Sequence, residues 1–336
     1  MGKMLTTGAR LLAGALFLAG LAGGAAAEEL KIAHFMSPKH PMHRFVMAPF
    51  AEELAQVSGG ALTAKIYPAG ELGKGPKQQY KRAVDGVADI TFGIPGYTET
   101  LFPRAMMVAI PGVVPGAVEG TRMLWAAEDY LRPEYKRVKL LAMWTNAPAV
   151  LISRDKPVRS FDDVKGMKIR APSAADIPVI ESWGAVPVQM NVNETYNALQ
   201  TGIVDAVMIG SSGIGSFKLH EPGNYVTTGL PASSAAFYLI MNQGTWDGLS
   251  GQEKAWVDQI SGFELSMKGG EGYAAAGRRG LEIAREAGLE MIELTPEESA
   301  RFSDASAPVV KEVLDELKAD GQPADEILAA MRQGLT

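Results

Sequence analysis

Between positions 30 and 92 the sequence switches repeatedly between strand and helix signals, with only short turns, and this leaves few folds open to it. Leu30-Lys-Ile-Ala-His34 reads as a first strand, closed by Ser37-Pro38 and Pro41. Apolar residues at 45, 46, 50, 54 and 57 then fall near helical spacing, predicting a helix over 42–57 that Ser58-Gly59-Gly60 ends. Leu62–Tyr67 alternates as a second strand before Pro68, a helix is expected over 76–85, and 88–92 forms a third strand. Strand–helix–strand alternation on this scale is the signature of an open α/β sheet.

The pattern resumes further on. A helix over 116–131 precedes a buried strand at 138–144, and a strand from Val150 to Ser153 follows Pro148, where the chain crosses into another lobe. There the expected order is a short helix from Ser160, a strand at 167–170, a helix at 176–183, a strand at 186–188, a helix at 193–200 and a buried strand at 204–209. Gly210 to Gly215 reads as a polar glycine-rich loop. Strands are expected at 225–228 and 235–241, the second returning the chain to the first lobe. Beyond lies a long helix over 252–287. Its glycines at 262, 269, 270, 272, 277 and 280 each cost about 1 kcal/mol relative to alanine, so they mark close packing or a break. Thr295-Pro-Glu-Glu298 reads as a capping box opening a helix that contains Pro308, and a last helix is expected over 323–332. Residues 104–116, apolar and rich in Pro and Gly, receive no assignment. The organisation expected is therefore a leader over 1–27, a first lobe over 28–147, a second over 148–234, and a return to the first lobe with the long and terminal helices over 235–336.

The leader follows from Lys3 and Arg10, the apolar run Leu11–Leu21 and the small residues Ala25-Ala26-Ala27, which predict export to the periplasm with cleavage after Ala27. That run is too short for a spanning helix, and Gly, Pro and charges interrupt every later one, so the mature chain is not expected to insert in a membrane. Without Lys3 and Arg10 the balance is 30 basic against 38 acidic residues, net −8, which opposes nucleic-acid binding. There is no cysteine, which removes disulfides, thiolate metal sites and cysteine nucleophiles.

Two α/β lobes joined by crossing strands leave a cleft beyond the strands' carboxyl ends. Arg170 stands at such an end, just before Pro172, and its planar fork matches a carboxylate with two parallel hydrogen bonds. Tyr97, in the loop after the third strand, is placed to cover or hydrogen-bond a ligand. Trp144, on the crossing segment, suits either an aromatic wall or the core. Phe35, Phe92, Met190 and Met208 have the composition of core but stand near strand ends, and Gly210, Ser211 and Ser212 offer backbone N–H groups and hydroxyls. His34 suits a hydrogen-bonding role. A metal site built on His34, His40 and His43 is the weaker alternative, because Pro41 interrupts regular ligand spacing and no acidic partner follows at a familiar interval. Nothing in the sequence calls for a cofactor.

Several separated stretches carry a family resemblance: SGGALTAKIYPAGELG (58–73), GVADITFG (86–93), FDDVKGMKIRAP (161–172), WGAVPVQMNVNETYNALQTGIVDAV (183–207) and MNQGTWDGLSGQEK (241–254). In these the chain resembles the DctP-like solute-binding proteins of tripartite ATP-independent periplasmic (TRAP) transporters. The resemblance implies a two-lobed periplasmic binding protein fold with hinge-crossing strands and a long bracing helix. It also implies a substrate carboxylate on Arg170 and delivery of a small organic acid to a TRAP membrane permease. Many acid-binding members carry a further polar group where this chain has Ala149-Val150, and an asparagine where it has Ala206-Val-Met-Ile209. Apolar walls would leave a sugar acid's or dicarboxylate's polar groups unpaired, at about 1–3 kcal/mol each. They would reward an apolar or aromatic monocarboxylate by about 25 cal/mol per Å² buried.

Two alternatives compete. One is a ligand-presenting subunit for a sensor. The other is an exported lyase or isomerase, for which neither paired carboxylates nor a nucleophile with a positioned histidine stand out.

Overall fold

The computed structural model describes residues 28–335; the expected leader and its cleavage site lie outside them. Eleven strands among the described residues form two sheets. The first contains β1 (Glu28–Ala33), β2 (Leu62–Tyr67), β3 (Ile90–Gly93), β4 (Val138–Thr145) and β10 (Ala236–Asn242), in the order β2-β1-β3-β10-β4. The second contains β5 (Ala149–Ser153), β6 (Lys168–Ala171), β7 (Val186–Gln189), β8 (Ala206–Gly210), β9 (Tyr225–Thr228) and β11 (Glu290–Glu293), in the order β11-β9-β5-β8-β6-β7. β1 runs parallel to β2 and β3 through helical crossovers, while β10 enters antiparallel between β3 and β4. In the second sheet β6 is parallel to β7 and β8, and β5 is antiparallel to β8 and β9.

The chain crosses between the sheets after β4 and again after β9. The two crossing segments hydrogen-bond to each other: Asn146 N–H to Ala235 O at 3.2 Å, Ala149 N–H to Ser233 O at 3.0 Å, and Ala235 N–H to Asn146 Oδ1 at 2.7 Å. This short ladder is the hinge between the lobes.

The expected long helix breaks. Gly251–Gln259 forms one helix, opened by a capping box between Ser250 and Glu253, and Phe263–Glu286 forms another. The break falls at Gly262, whose φ of 79° disfavours any residue with a Cβ. The other glycines are contact points along the second helix. A Cβ on Gly269 would sit 2.8 Å from the Trp144 ring, and one on Gly280 would sit 2.0 Å from the Ser211 carbonyl oxygen. The helix therefore presses its first half against the first lobe and its second half against the second, which is how it braces both.

Three further departures have local causes. Residues 212–216, expected as loop, form a helical turn pressed against the long helix. After that helix the chain does not stay with the first lobe, because β11, not expected from sequence, pairs in parallel with β9 at the edge of the second sheet. The Thr295 hydroxyl does accept the Glu298 N–H, but the Glu298 carboxylate does not close the box. It accepts the Phe161 N–H at 2.6 Å, tying the helix Pro296–Ala319 to the second lobe. The first half of that helix buries Phe302 against Trp183, while Val310 and Leu314 pack on the first-lobe core near Ile327.

Candidate functional site

A cleft of about 780 Å³, including its mouth open to solvent, lies between the lobes. Its second-lobe side is built on main-chain carbonyls at strand ends. Arg170, near the end of β6, is buried, and its guanidinium donates to Met208 O at 3.0 Å and to Met190 O at 3.2 and 3.3 Å. These bonds fix the plane of the fork. Among the described residues no carboxylate comes within 4 Å of it, although fourteen other ion pairs form. Burial lowers the Arg170 pKa, opposed by the nearby Tyr97 hydroxyl and the charge of Asp176. A buried cation without an ion-pair partner is strongly disfavoured, so the site gains from an incoming anion.

Asp176 is also buried in the cleft wall. It accepts from Ser173 N–H at 2.9 Å, from the Ser173 hydroxyl at 2.7 Å and from the Ser233 hydroxyl. Burial raises its pKa in spite of those three donors.

The first-lobe side is aromatic. Phe237, at the start of β10, lines the cleft and stacks on Phe92 and Trp144, each at 5.8 Å, and on Tyr273 of the long helix at 4.7 Å. His40, after β1, sits with its ring 5.9 Å from Tyr273 and 5.7 Å from Phe217 of the second lobe. Met36, Ile94, Ala149 and Ile209 complete an apolar lining. Of the buried side-chain oxygens without a hydrogen-bond partner among the described residues, two belong to the cleft, Tyr273 Oη and Ser234 Oγ. Each costs about 1–3 kcal/mol if nothing pairs with it.

Two hydrogen bonds span the cleft mouth. The Tyr97 hydroxyl, from the first lobe, accepts the Val192 N–H at 3.1 Å, and the Glu99 carboxylate accepts the Ala175 N–H at 3.3 Å. Burial raises the pKa of both side chains.

Of the residues proposed from sequence, Arg170, Tyr97, Gly210 and Ser212 line the cleft together. The others do not. Trp144 is fully buried behind Phe237, and Phe35 stacks on Phe92 at 5.7 Å within the first-lobe core. Met190 and Met208 contribute carbonyls to Arg170 but their side chains do not line the cleft. Ser211 is turned to the long helix, beside Gly277 and Gly280. His34 is buried next to the site. Its Nδ1 accepts the Met36 N–H at 3.2 Å, which places its proton on Nε2, bonded to His43 Nδ1 at 2.9 Å. The two rings thus satisfy each other, and no group of three or more metal-ligating side chains is found among the described residues. Nor is any described helix long and apolar enough to cross a membrane.

Sequence reasoning missed His40, Asp176, Phe217, Ser234, Phe237 and Tyr273 as lining residues. Asp176 carried one usable signal, since it starts a helix immediately after the Arg170 strand. Tyr273 carried none, because its position depends on how a distant helix crosses the hinge.

The model of the family described as bacterial extracellular solute-binding protein, family 7 (DctP), matches residues 32–317. The C4-dicarboxylate-binding periplasmic protein DctP of Rhodobacter capsulatus is 28% identical over 308 residues, covering 87% of this chain and 88% of its own. Two crystal structures are also similar. A marine metagenome TRAP solute-binding protein specific for aromatic acid ligands, in complex with metahydroxyphenylacetate, has a TM-score of 0.87 at 25% identity, covering 91% of this chain and 98% of that one. A TRAP solute-binding protein from Rhodoferax ferrireducens T118 with copurified benzoate has a TM-score of 0.86 at 27% identity, covering 91% and 97%. With its two sheets, crossing segments and bracing helix, the chain belongs to the DctP family of extracellular solute-binding proteins.

Proposed function

We propose that the cleft takes an aromatic monocarboxylate, with its carboxylate on the Arg170 fork and its ring against Phe237 and Phe217. As a member of its family the protein captures a small organic acid and delivers it to a TRAP permease, and the family's proteins are periplasmic. Cleavage after Ala27 to give the mature chain is part of the proposal. The observation that carries the choice of ligand is the contrast within the cleft: one guanidinium, buried and without an ion-pair partner among the described residues, in a lining otherwise dominated by apolar and aromatic side chains. A dicarboxylate would bring a second charge to a cleft in which Arg170 is the only Lys or Arg among the described residues. A ligand touching both faces favours the closed arrangement, because only there are the contacts of both lobes available at once.

The test is isothermal titration of the protein with benzoate, succinate and glucuronate, alongside the Arg170→Ala variant. Benzoate is expected to bind most tightly. The variant is expected to lose about 2–5 kcal/mol of binding free energy, the effect of removing one partner of a buried charged pair. Near-normal benzoate affinity in Arg170→Ala, or preference for glucuronate, would overturn the proposal.

A further inference from the structure

Two polar groups of the cleft lie outside the hydrogen bonds that hold Arg170. Tyr273 and Ser234 both line the cleft and are both buried, and neither hydroxyl has a hydrogen-bond partner among the described residues. Phenylalanine and alanine would fill the same positions without that penalty, so the two oxygens call for a partner that arrives with the ligand. His40 joins them. Its Nδ1 accepts the Met42 N–H at 3.4 Å, leaving the ring proton on Nε2, and burial lowers its pKa to about 3, which keeps the ring neutral. Its contacts, Tyr273 and Phe217, are separate from the Met190, Met208 and Tyr97 surroundings of Arg170.

We infer that Tyr273, Ser234 and His40 form a subsite for a hydroxyl group carried on the ligand's ring. A hydroxyl both donates and accepts, matching two hydroxyls and an imidazole N–H. A second carboxylate does not fit, because the subsite has no cation and would hold a buried charge unpaired. The inference rests on the aromatic-monocarboxylate reading above and narrows it to ring-hydroxylated acids.

Titration calorimetry with benzoate and with 2-, 3- and 4-hydroxybenzoate tests it on the wild-type protein, Tyr273→Phe and Ser234→Ala. At least one hydroxybenzoate is expected to bind the wild type about tenfold more tightly than benzoate, or about 1.4 kcal/mol. Tyr273→Phe, which removes one oxygen, is expected to abolish that preference, read as the ratio of hydroxybenzoate to benzoate affinity in the same protein. Ser234→Ala is expected to reduce the preference, and provides a second reading if Tyr273→Phe folds poorly. Equal binding of benzoate and every hydroxybenzoate by the wild type overturns the subsite alone, as does a preference that survives in both variants. Binding of none of the four acids overturns the aromatic reading itself, and the subsite with it.

Discussion

The two faces of the cleft are built in opposite ways. The second-lobe face is polar and held by main chain: Arg170 is fixed by the carbonyls of Met190 and Met208, and Asp176 by Ser173 and Ser233. The first-lobe face is a stack of rings, with Phe35, Phe92, Trp144, Phe237 and Tyr273 following one another at 4.7 to 5.8 Å. Hydrogen-bonded geometry fixes a charge in one orientation, so the second-lobe face suits a carboxylate. Stacked rings have a shape but little directional chemistry, so the first-lobe face selects by fit. In the proposed binding mode the acid group rests on the second lobe and the ring mainly on the first, with Phe217 of the second lobe closing over it, so both lobes are needed at once.

Replacing the ring that connects stack and cleft should have the largest effect. Phe237→Ala removes a buried ring with three stacking partners and is expected to cost about 3–5 kcal/mol of folding stability, read from urea unfolding. If stability barely changed, the aromatic face would be a ligand surface and not also the core of its lobe. Arg170→Lys probes the other face more gently. It keeps the charge but loses the fork, so benzoate affinity should fall by about 1.5–3 kcal/mol while the thermal midpoint moves little. Full affinity in the lysine variant would mean that charge alone suffices and the carbonyl-held geometry does not matter.

The long helix joins the two faces, and Gly280→Ala tests that link. Its new Cβ would meet the Ser211 carbonyl oxygen, a backbone atom that cannot swing away. Overpacking of this kind typically costs about 1–3 kcal/mol. Because the strain falls on the second-lobe half of the helix, the expected result is a lower melting temperature with the near-ultraviolet signal of the aromatic stack preserved. Loss of that signal would show that the stack depends on the second lobe as well.

The two faces also differed in how far the sequence revealed them. Arg170 was legible because its signal is local: a lone arginine at a strand's end, before a proline, inside motifs shared with the family. The two-lobed alternation was legible for the same reason, since periodicity and turn residues act over a few positions. The aromatic face was not. Trp144 and Phe237 lie 93 positions apart and pair across β4 and β10. Which of two adjacent rings faces a cleft depends on pleat and register, and the sequence of neither strand contains that. The long helix shows both cases at once. Its glycines announced tight packing or a break, and only the fold assigns the break to Gly262 and the contacts to the others.

The smallest expected effect is a response to acid, and it separates the faces by sign. His34 and His40 on the first-lobe side both have their pKa lowered from 6.5 to about 3, by burial foremost and, for His34, by His43 and His40 as well. A histidine kept neutral in the fold but free to protonate when unfolded stabilises the protein fully above about pH 6.5. That stability is lost progressively as pH falls towards 3. Between pH 7 and pH 6 the loss is about 0.7 kcal/mol for each such histidine. Asp176 on the second-lobe side works the other way, because burial raises its pKa: the fold then favours the protonated acid, so acidification relieves a penalty there. Glu134, whose pKa burial raises to about 7, also opposes the histidines over this interval, and both carboxyls act alike in the wild type and in a histidine variant. The change in folding stability between pH 7 and pH 6, read from urea unfolding, should therefore be less unfavourable for His40→Gln than for the wild type, by about 0.7 kcal/mol, because the variant lacks one of the buried rings. Identical slopes in the two proteins would show that His40 is as free to protonate in the fold as in the unfolded chain, and that the first-lobe face is wetter than its burial implies.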